Sequence, residues 1–344
     1  MSGPRMQAAI FDAPGAIRIA DAPKPTPGPS EALVRVKAAG LCAGDLYIFT
    51  GKNPYVSYPR IGCHEIAGVV EAYGAGASGP AVGSRVVVDP FIGCGRCYPC
   101  RIGKRNCCAN LQIVGVHREG GFADYVSAPA TNLVPVPDSL IDFEAAFAEP
   151  VAIGVQGCRR GEVTADDTVL VLGAGPIGLA IVEVARARGA KVYATDLSAE
   201  RLTTAADLGA TPVAGGAGLL ERVMEITNGE GMPVVMEATG AVAAMEQTID
   251  LVASGGRIVI LGLVKKGTGV TLPGLDFTRK EVTIHGSRAS VDCFPEALDL
   301  LASGKIHYPK IASSFALGEA PAVFARLADN PMALHKAVFI PEAA

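Results

Sequence analysis

Four of the nine cysteines, Cys94, Cys97, Cys100 and Cys108, fall in the spacing C-x2-C-x2-C-x7-C inside one basic loop, CGRCYPCRIGKRNCC. Thiolates packed this closely suit one tetrahedral zinc with no position left for a substrate, a site that fixes a loop and does no chemistry. The odd cysteine count and the bunching favour metal over disulfides. Cys107 stands beside Cys108, and spacing alone does not choose between them. A metal that does chemistry needs an open position, and the candidates for it are Cys42 in GLCAGD, His64 and Glu65 in GCHEIAG, and Glu149 in AEP. Taken singly, each also has an ordinary reading: a cysteine as a small core residue, a His–Glu pair as a surface feature, a glutamate as a helix start.

A third constellation lies halfway along the chain. Val169–Gly178, VLVLGAGPIG, is a short apolar run followed by Gly173, Gly175 and Gly178 in the spacing G-x-G-x-x-G, then by an apolar helix pattern. A strand running into a glycine turn and a helix gathers bare N–H groups and a positive helix end at one point, which suits a pyrophosphate. Pro176 falls where a first helical turn tolerates proline, with Ile177 beside it. Asp196 ends the next strand pattern, eighteen residues after Gly178, near the spacing at which an acid holds a ribose 2′-hydroxyl. That acid favours NAD, since it would repel a 2′-phosphate; Arg201, five residues on, leaves room for NADP.

The elements that must position these groups divide the chain in two. Residues 1–150 read as β-rich, with alternating segments at 32–37, 66–72, 85–88 and 123–127 separated by Gly and Pro turns. Residues 151–290 alternate strands (169–172, 191–195, 234–236, 257–261, 283–285) with helices (179–188, 200–208, 218–227, 243–251), the pattern of a doubly wound parallel sheet. The tail, 291–344, carries helices at 295–302 and 320–327 and a final strand at 337–340. A length of 344 residues suits about two domains. A net charge of −4 without a long basic run gives no reason to expect nucleic acid. The N-terminus lacks a signal-like apolar core, and the longest apolar run is glycine-broken and shorter than the roughly 18 residues of a membrane span. A soluble cytoplasmic protein is expected.

Together the motifs GLCAGD, GCHEIAG, the cysteine loop, GGFADY, EPVAIGVQGCRR and VLVLGAGPIG, in this order, resemble the zinc-containing medium-chain dehydrogenases, in their polyol, threonine and sugar-acid branch. The resemblance covers essentially the whole chain. It implies an α/β architecture: a GroES-like catalytic domain from 1–150 and 291–344, with a Rossmann NAD-binding domain, 151–290, inserted. It implies two zincs per chain and assigns Cys108 to the structural one. Carried over, Cys42 and His64 are catalytic zinc ligands, Glu65 a ligand or close neighbour, and Glu149 the carboxylate that marks the polyol branch. Relatives are dimers or tetramers, so a homodimer or homotetramer is expected.

Three departures from the family pattern bear on the proton route. Gly44 stands where relatives carry a hydroxyl, Tyr47 where many carry a histidine, and Cys63 where they carry glycine before the histidine. Tyr47, Glu65 or water are the remaining carriers. Arg288, His117 and Lys336 occupy family positions near the cleft or cofactor, each with an ordinary structural alternative. The expected activity is hydride transfer between NAD and a secondary alcohol of a polyol, sugar or sugar acid, in the manner of the galactonate-type members. Two rivals remain: a zinc-free quinone or enoyl reductase, opposed by the joint presence of Cys42, His64 and Glu149, and an inactive nucleotide-binding regulatory protein, favoured by Gly44 and Tyr47.

Overall fold

The computed structural model describes residues 3–342. Eight elements position the residues of interest: β1 (Glu31–Leu41), α1 (Ala43–Phe49), β2 (Glu65–Tyr73), α2 (Ala148–Arg160), β3 (Thr168–Leu172), α3 (Pro176–Ala187), β4 (Lys191–Asp196) and β5 (Lys336–Ile340). The chain separates into two compact units, residues 1–149 with 297–302 and 309–344, and residues 150–296 with 303–308.

The first unit is built on a seven-stranded sheet in which β1 lies between β2 and β5. Both pairings join strands rich in β-branched and small apolar residues that are buried over most of their length. The register sets which residues meet at the strand ends. Gly40 of β1 faces Glu65 at the start of β2, and Leu41 faces Ala337 at the start of β5, both antiparallel. The largely aliphatic core of this unit holds a phenylalanine cluster: Phe11 and Phe324 pack edge-on with ring centres 5.1 Å apart, and Phe122 and Phe339 do so at 5.3 Å. Such T-shaped pairs add to the burial of large rings.

The second unit is a six-stranded, all-parallel sheet with β4, β3 and Met232–Glu237 at its centre. Its strands are continuous apolar runs because helices cover both faces. Two features differ from the sequence expectation. A short edge strand, Thr211–Ala214, joins β4, although a proline and exposed side chains hide it in the sequence. Residues 291–296 and 303–308 cluster with this unit rather than with the tail. The reason is side-chain anchoring: Glu296 accepts from Arg159 and Arg188, each at 2.7 Å, and the His307 N–H donates to Glu183 of α3 at 2.6 Å.

Candidate active site

At the corner where the end of β1 meets the starts of β2 and β5, three side chains converge. One ligand atom each from Cys42, His64 and Glu65 lies within 4.8 Å of the others. The backbone explains the convergence. Cys42 follows the last residue of β1 and caps α1, its Sγ accepting from the Gly44 N–H at 3.5 Å. His64 immediately precedes β2. Asp45, fully buried, ties the two segments together: one carboxylate oxygen accepts from the Cys42 N–H and the other from the Cys63 N–H, both at 2.9 Å. Cys63 adopts a positive φ of 81°, a conformation that a side chain makes costly, and its thiol donates to the carbonyls of Gly40 and Glu65. Gly40 is required by packing, because a Cβ there would overlap the Glu65 carboxylate.

The site is dense in charge. Glu65 is 1% exposed and forms an ion pair with Lys336, itself 5% exposed. The second Glu65 oxygen, Oε2, has no hydrogen-bond partner, nor have His64 Nδ1 and Glu149 Oε2, all three buried. Orphaned buried polar atoms are costly unless something else satisfies them. A divalent cation held by Cys42, His64 and Glu65 would give the Glu65 oxygen a partner, and sulfur, imidazole and carboxylate donors suit zinc. Burial would lower the pKa of His64, but the Cys42 sulfur and the Asp45 and Glu149 carboxylates outweigh it and raise it well above the usual value. Burial pushes Glu149, in the first turn of α2, up to about 7 against the opposing pull of His64. Glu149 thus feels the site electrostatically but lies outside the three-residue cluster.

The four-cysteine loop forms a second cluster, in which Cys94, Cys97, Cys100 and Cys108 bring their sulfurs within 4.8 Å of one another. Cys108 is buried in it while Cys107 is exposed. Backbone N–H groups of Arg96 and Cys97 lower the Cys94 thiol to about 6, whereas burial and the Cys97 thiol push Cys100 up to about 11. Backbone N–H groups of Ala109 and Cys100 lower the Cys97 thiol as well, and a cluster that favours thiolate at two of its sulfurs is one a tetrahedral cation completes.

In the second unit the glycine turn has the expected build. Gly173 has φ 96°, and a Cβ on Gly178 would overlap the Gly173 carbonyl oxygen. Gly175, the N-cap of α3, faces open space, with nothing within 4 Å of an added Cβ. Pro176 and Ile177 open the helix. Asp196 accepts from the Ala174 N–H at 2.8 Å with one oxygen and from the Ser198 N–H at 2.9 Å with the other. It therefore holds the turn in place as well as facing it, and Arg201 lies 3.7 Å from it.

The remaining candidates are dispersed. Tyr47 is 54% exposed on α1. His117 accepts from the Ile113 N–H through Nδ1 at 3.1 Å, its ring 6.2 Å from that of Tyr55; burial and the nearby Arg60 lower its pKa, so it is neutral. Arg288 is exposed and belongs to the second unit, whereas the cluster belongs to the first. Lys336, by contrast, is committed to Glu65. Sequence reasoning passed over Asp45 and Gly40; the three-residue spacing from Cys42 to Asp45, typical of a helix cap, was the available signal for the first.

Residues 28–138 match the family model described as an alcohol dehydrogenase GroES-like domain, and residues 176–303 the model described as a zinc-binding dehydrogenase. An uncharacterized zinc-type alcohol dehydrogenase-like protein of Haemophilus influenzae is 37% identical over 331 residues, 95% of this chain and 96% of its own. The L-galactonate-5-dehydrogenase of Escherichia coli is 36% identical over 285 residues, 82% and 83% of the two chains. The crystal structure of the alcohol dehydrogenase RspB from E. coli CFT073, complexed with NADH, superimposes with a TM-score of 0.91 at 33% identity, covering 98% of this chain and all of that one. With this site in this fold, the chain belongs to the zinc-containing medium-chain dehydrogenase family, on its polyol and sugar-acid branch.

Proposed function

We propose that the protein is a zinc- and NAD-dependent dehydrogenase that oxidises a secondary alcohol of a polyol, sugar or sugar acid to the ketone, with release of NADH and a proton. The observation that carries this reading is the meeting of a sulfur, an imidazole and a carboxylate at one point, with buried donor atoms left unpartnered around them. A zinc ion at that point supplies a Lewis acid that lowers the pKa of an alcohol toward neutrality, while the nicotinamide takes up the hydride.

The chain's own contribution is positional and electrostatic. Cys42, His64 and Glu65 hold the ion, with Asp45 fixing the segments that carry the first two. Lys336 offsets the charge of Glu65, and Glu149 adds negative charge beside His64. The Gly173–Gly178 turn and the N-terminus of α3 hold the pyrophosphate, and Asp196 disfavours a 2′-phosphate. The four cysteines hold a second, structural zinc. The protein works as a cytoplasmic homo-oligomer, dimer or tetramer; among the described residues no helix is long and apolar enough to cross a membrane.

The test combines metal analysis with turnover. Purified protein should contain two zincs per chain and form NADH, in preference to NADPH, with at least one member of a panel of polyols and aldonic acids. Cys42→Ser should abolish that activity with one zinc retained. One zinc in the unaltered protein together with no turnover would favour a regulatory nucleotide-binding role instead.

A further inference from the structure

Apart from the metal corner, the first unit holds a cavity of about 640 Å³, a volume within the range of about 300–1,000 Å³ common to small-molecule sites. None of Cys42, His64, Glu65 and Glu149 lines it. Its origin is a parting of strands. Residues 122–124 follow the strand Arg5–Ala13, with the Ala9 N–H donating to the Phe122 carbonyl at 2.8 Å and the Asp124 N–H to the Gln7 carbonyl at 3.0 Å. From Tyr125 the chain pairs instead with Glu31–Arg35 of β1. The wedge left between is walled by Met6, Ile10, Ile61 and Val126 and by three prolines, whose rings fix the backbone around it.

Two ion pairs complete the wall. Arg60 donates to Glu119 at 2.9 Å, and Arg118 donates to Glu31, which also accepts from the Ser127 hydroxyl at 2.9 Å. Each charge is matched, so the wall as a whole is neutral. Among the described residues the Arg118 side chain donates only through Nη2, and it is 35% exposed, so its other N–H groups are open to an acceptor.

We infer that this cavity is a second ligand site, which takes a small uncharged molecule with an apolar body and a hydrogen-bond acceptor held by Arg118. The aliphatic and proline wall selects the body, and the paired charges select against an ion. An anion would face Glu31 and Glu119; a cation would face Arg60 and Arg118. A neutral carbonyl oxygen meets neither penalty and accepts from a guanidinium that keeps its bond to Glu31. Because the wall is built from paired strands and prolines, little ordering has to accompany binding.

The probe is N,N-diethylbenzamide, which is uncharged, carries one carbonyl acceptor and no donor, and is neither an alcohol nor a ketone. Protonated N,N-diethylbenzylamine and para-propylbenzoate keep an apolar body of similar size and add a charge. Binding is read in the full chain from the methyl NMR signals of Met6, Ile10 and Ile61. The benzamide should shift all three saturably with a Kd below about 1 mM, and each charged compound should bind at least about tenfold more weakly. Glu31→Gln/Arg118→Met removes both charges of one pair, leaves neither unpartnered, and should weaken the benzamide about tenfold. Thr26→Trp, at an exposed position on the rim, should abolish the shifts at an unchanged melting temperature. The inference is overturned if unaltered protein shows no shifts, if the three compounds bind equally, or if affinity stays within about twofold in both variants. It also fails if the probe does not bind and Thr26→Trp lowers the oligomeric mass, since the cavity is then an interface between copies of this chain.

Discussion

Replacing Lys336 with methionine, which keeps the length of the side chain and removes its charge, tests how the metal corner is balanced. Lys336 and Glu65 are almost fully buried and form an ion pair. Removing one partner of such a pair leaves a carboxylate in a poor dielectric and costs about 3–5 kcal/mol. At about 2–4 °C per kcal/mol for a domain of this size, the metal-free variant should melt roughly 6–20 °C below metal-free unaltered protein. Zinc changes the comparison, because the unpartnered Glu65 Oε2 then gains a cation. In zinc-loaded protein the gap should shrink to a few degrees, and the variant should release zinc to a chelator more slowly, since a competing positive charge is gone. Calorimetric melts of both proteins, stripped and reloaded, read all of this. A metal-free variant melting within about 2 °C of its metal-free parent would refute the reasoning. The double variant Glu65→Gln/Lys336→Met should be more stable than Lys336→Met alone, because no buried charge is left unpaired.

Gly175→Ala should fold normally and lose affinity for NAD+ about tenfold or more, since its Cβ points into the space left for the pyrophosphate; equal affinity by calorimetry would count against the turn as the binding site. Gly178→Ala should instead destabilise the second unit outright, because its Cβ overlaps the Gly173 carbonyl. Cys97→Ser should cost one zinc per chain and lower the melting temperature of the first unit, and retention of two zincs would remove it from the structural cluster. In metal-free protein, Glu149 and His64 both bind protons more tightly folded than unfolded. Stability should therefore fall as the pH rises from about 5 to 8, by roughly 3 kcal/mol for a shift of Glu149 from 4.5 to about 7. Zinc should suppress that fall, and a metal-free melting temperature that is flat or rising over this range would show that Glu149 is not held in a buried, poorly solvated place.

What could be read from the sequence was what local spacing encodes. The parallel sheet, the glycine turn and the bunched cysteines are each set by residues within about one supersecondary unit, so period and spacing expose them. The choice of Cys108 over Cys107 was different. Both fit the spacing; the family resemblance assigned Cys108, and the short helical turn Arg105–Cys107 leaves Cys108 buried and Cys107 exposed. The edge strand Thr211–Ala214 escaped because its propensity is poor and its pairing with β4 supplies the order. The partition of residues 291–308 likewise depends on ion pairs with Arg159 and Arg188 that no spacing rule predicts.

The metal corner shows why the remainder is hidden. Cys42 and His64 lie 22 positions apart and Lys336 another 272 beyond His64. They meet because β1 ends, and β2 and β5 begin, at the same edge of one sheet. The registers Gly40–Glu65 and Leu41–Ala337 fix that meeting to single residues. A slip of one residue in either pairing would turn the side chains to the opposite face of the sheet. Glu65 would then leave the space that Gly40 keeps free, or β5 would carry Lys336 away from it. The chemistry of the site is thus specified by strand register, and the backbone pairing of β1 with β2 and β5, with Gly40 leaving room for Glu65, holds that register. A motif search sees the donor residues, while the sheet decides that they form a site.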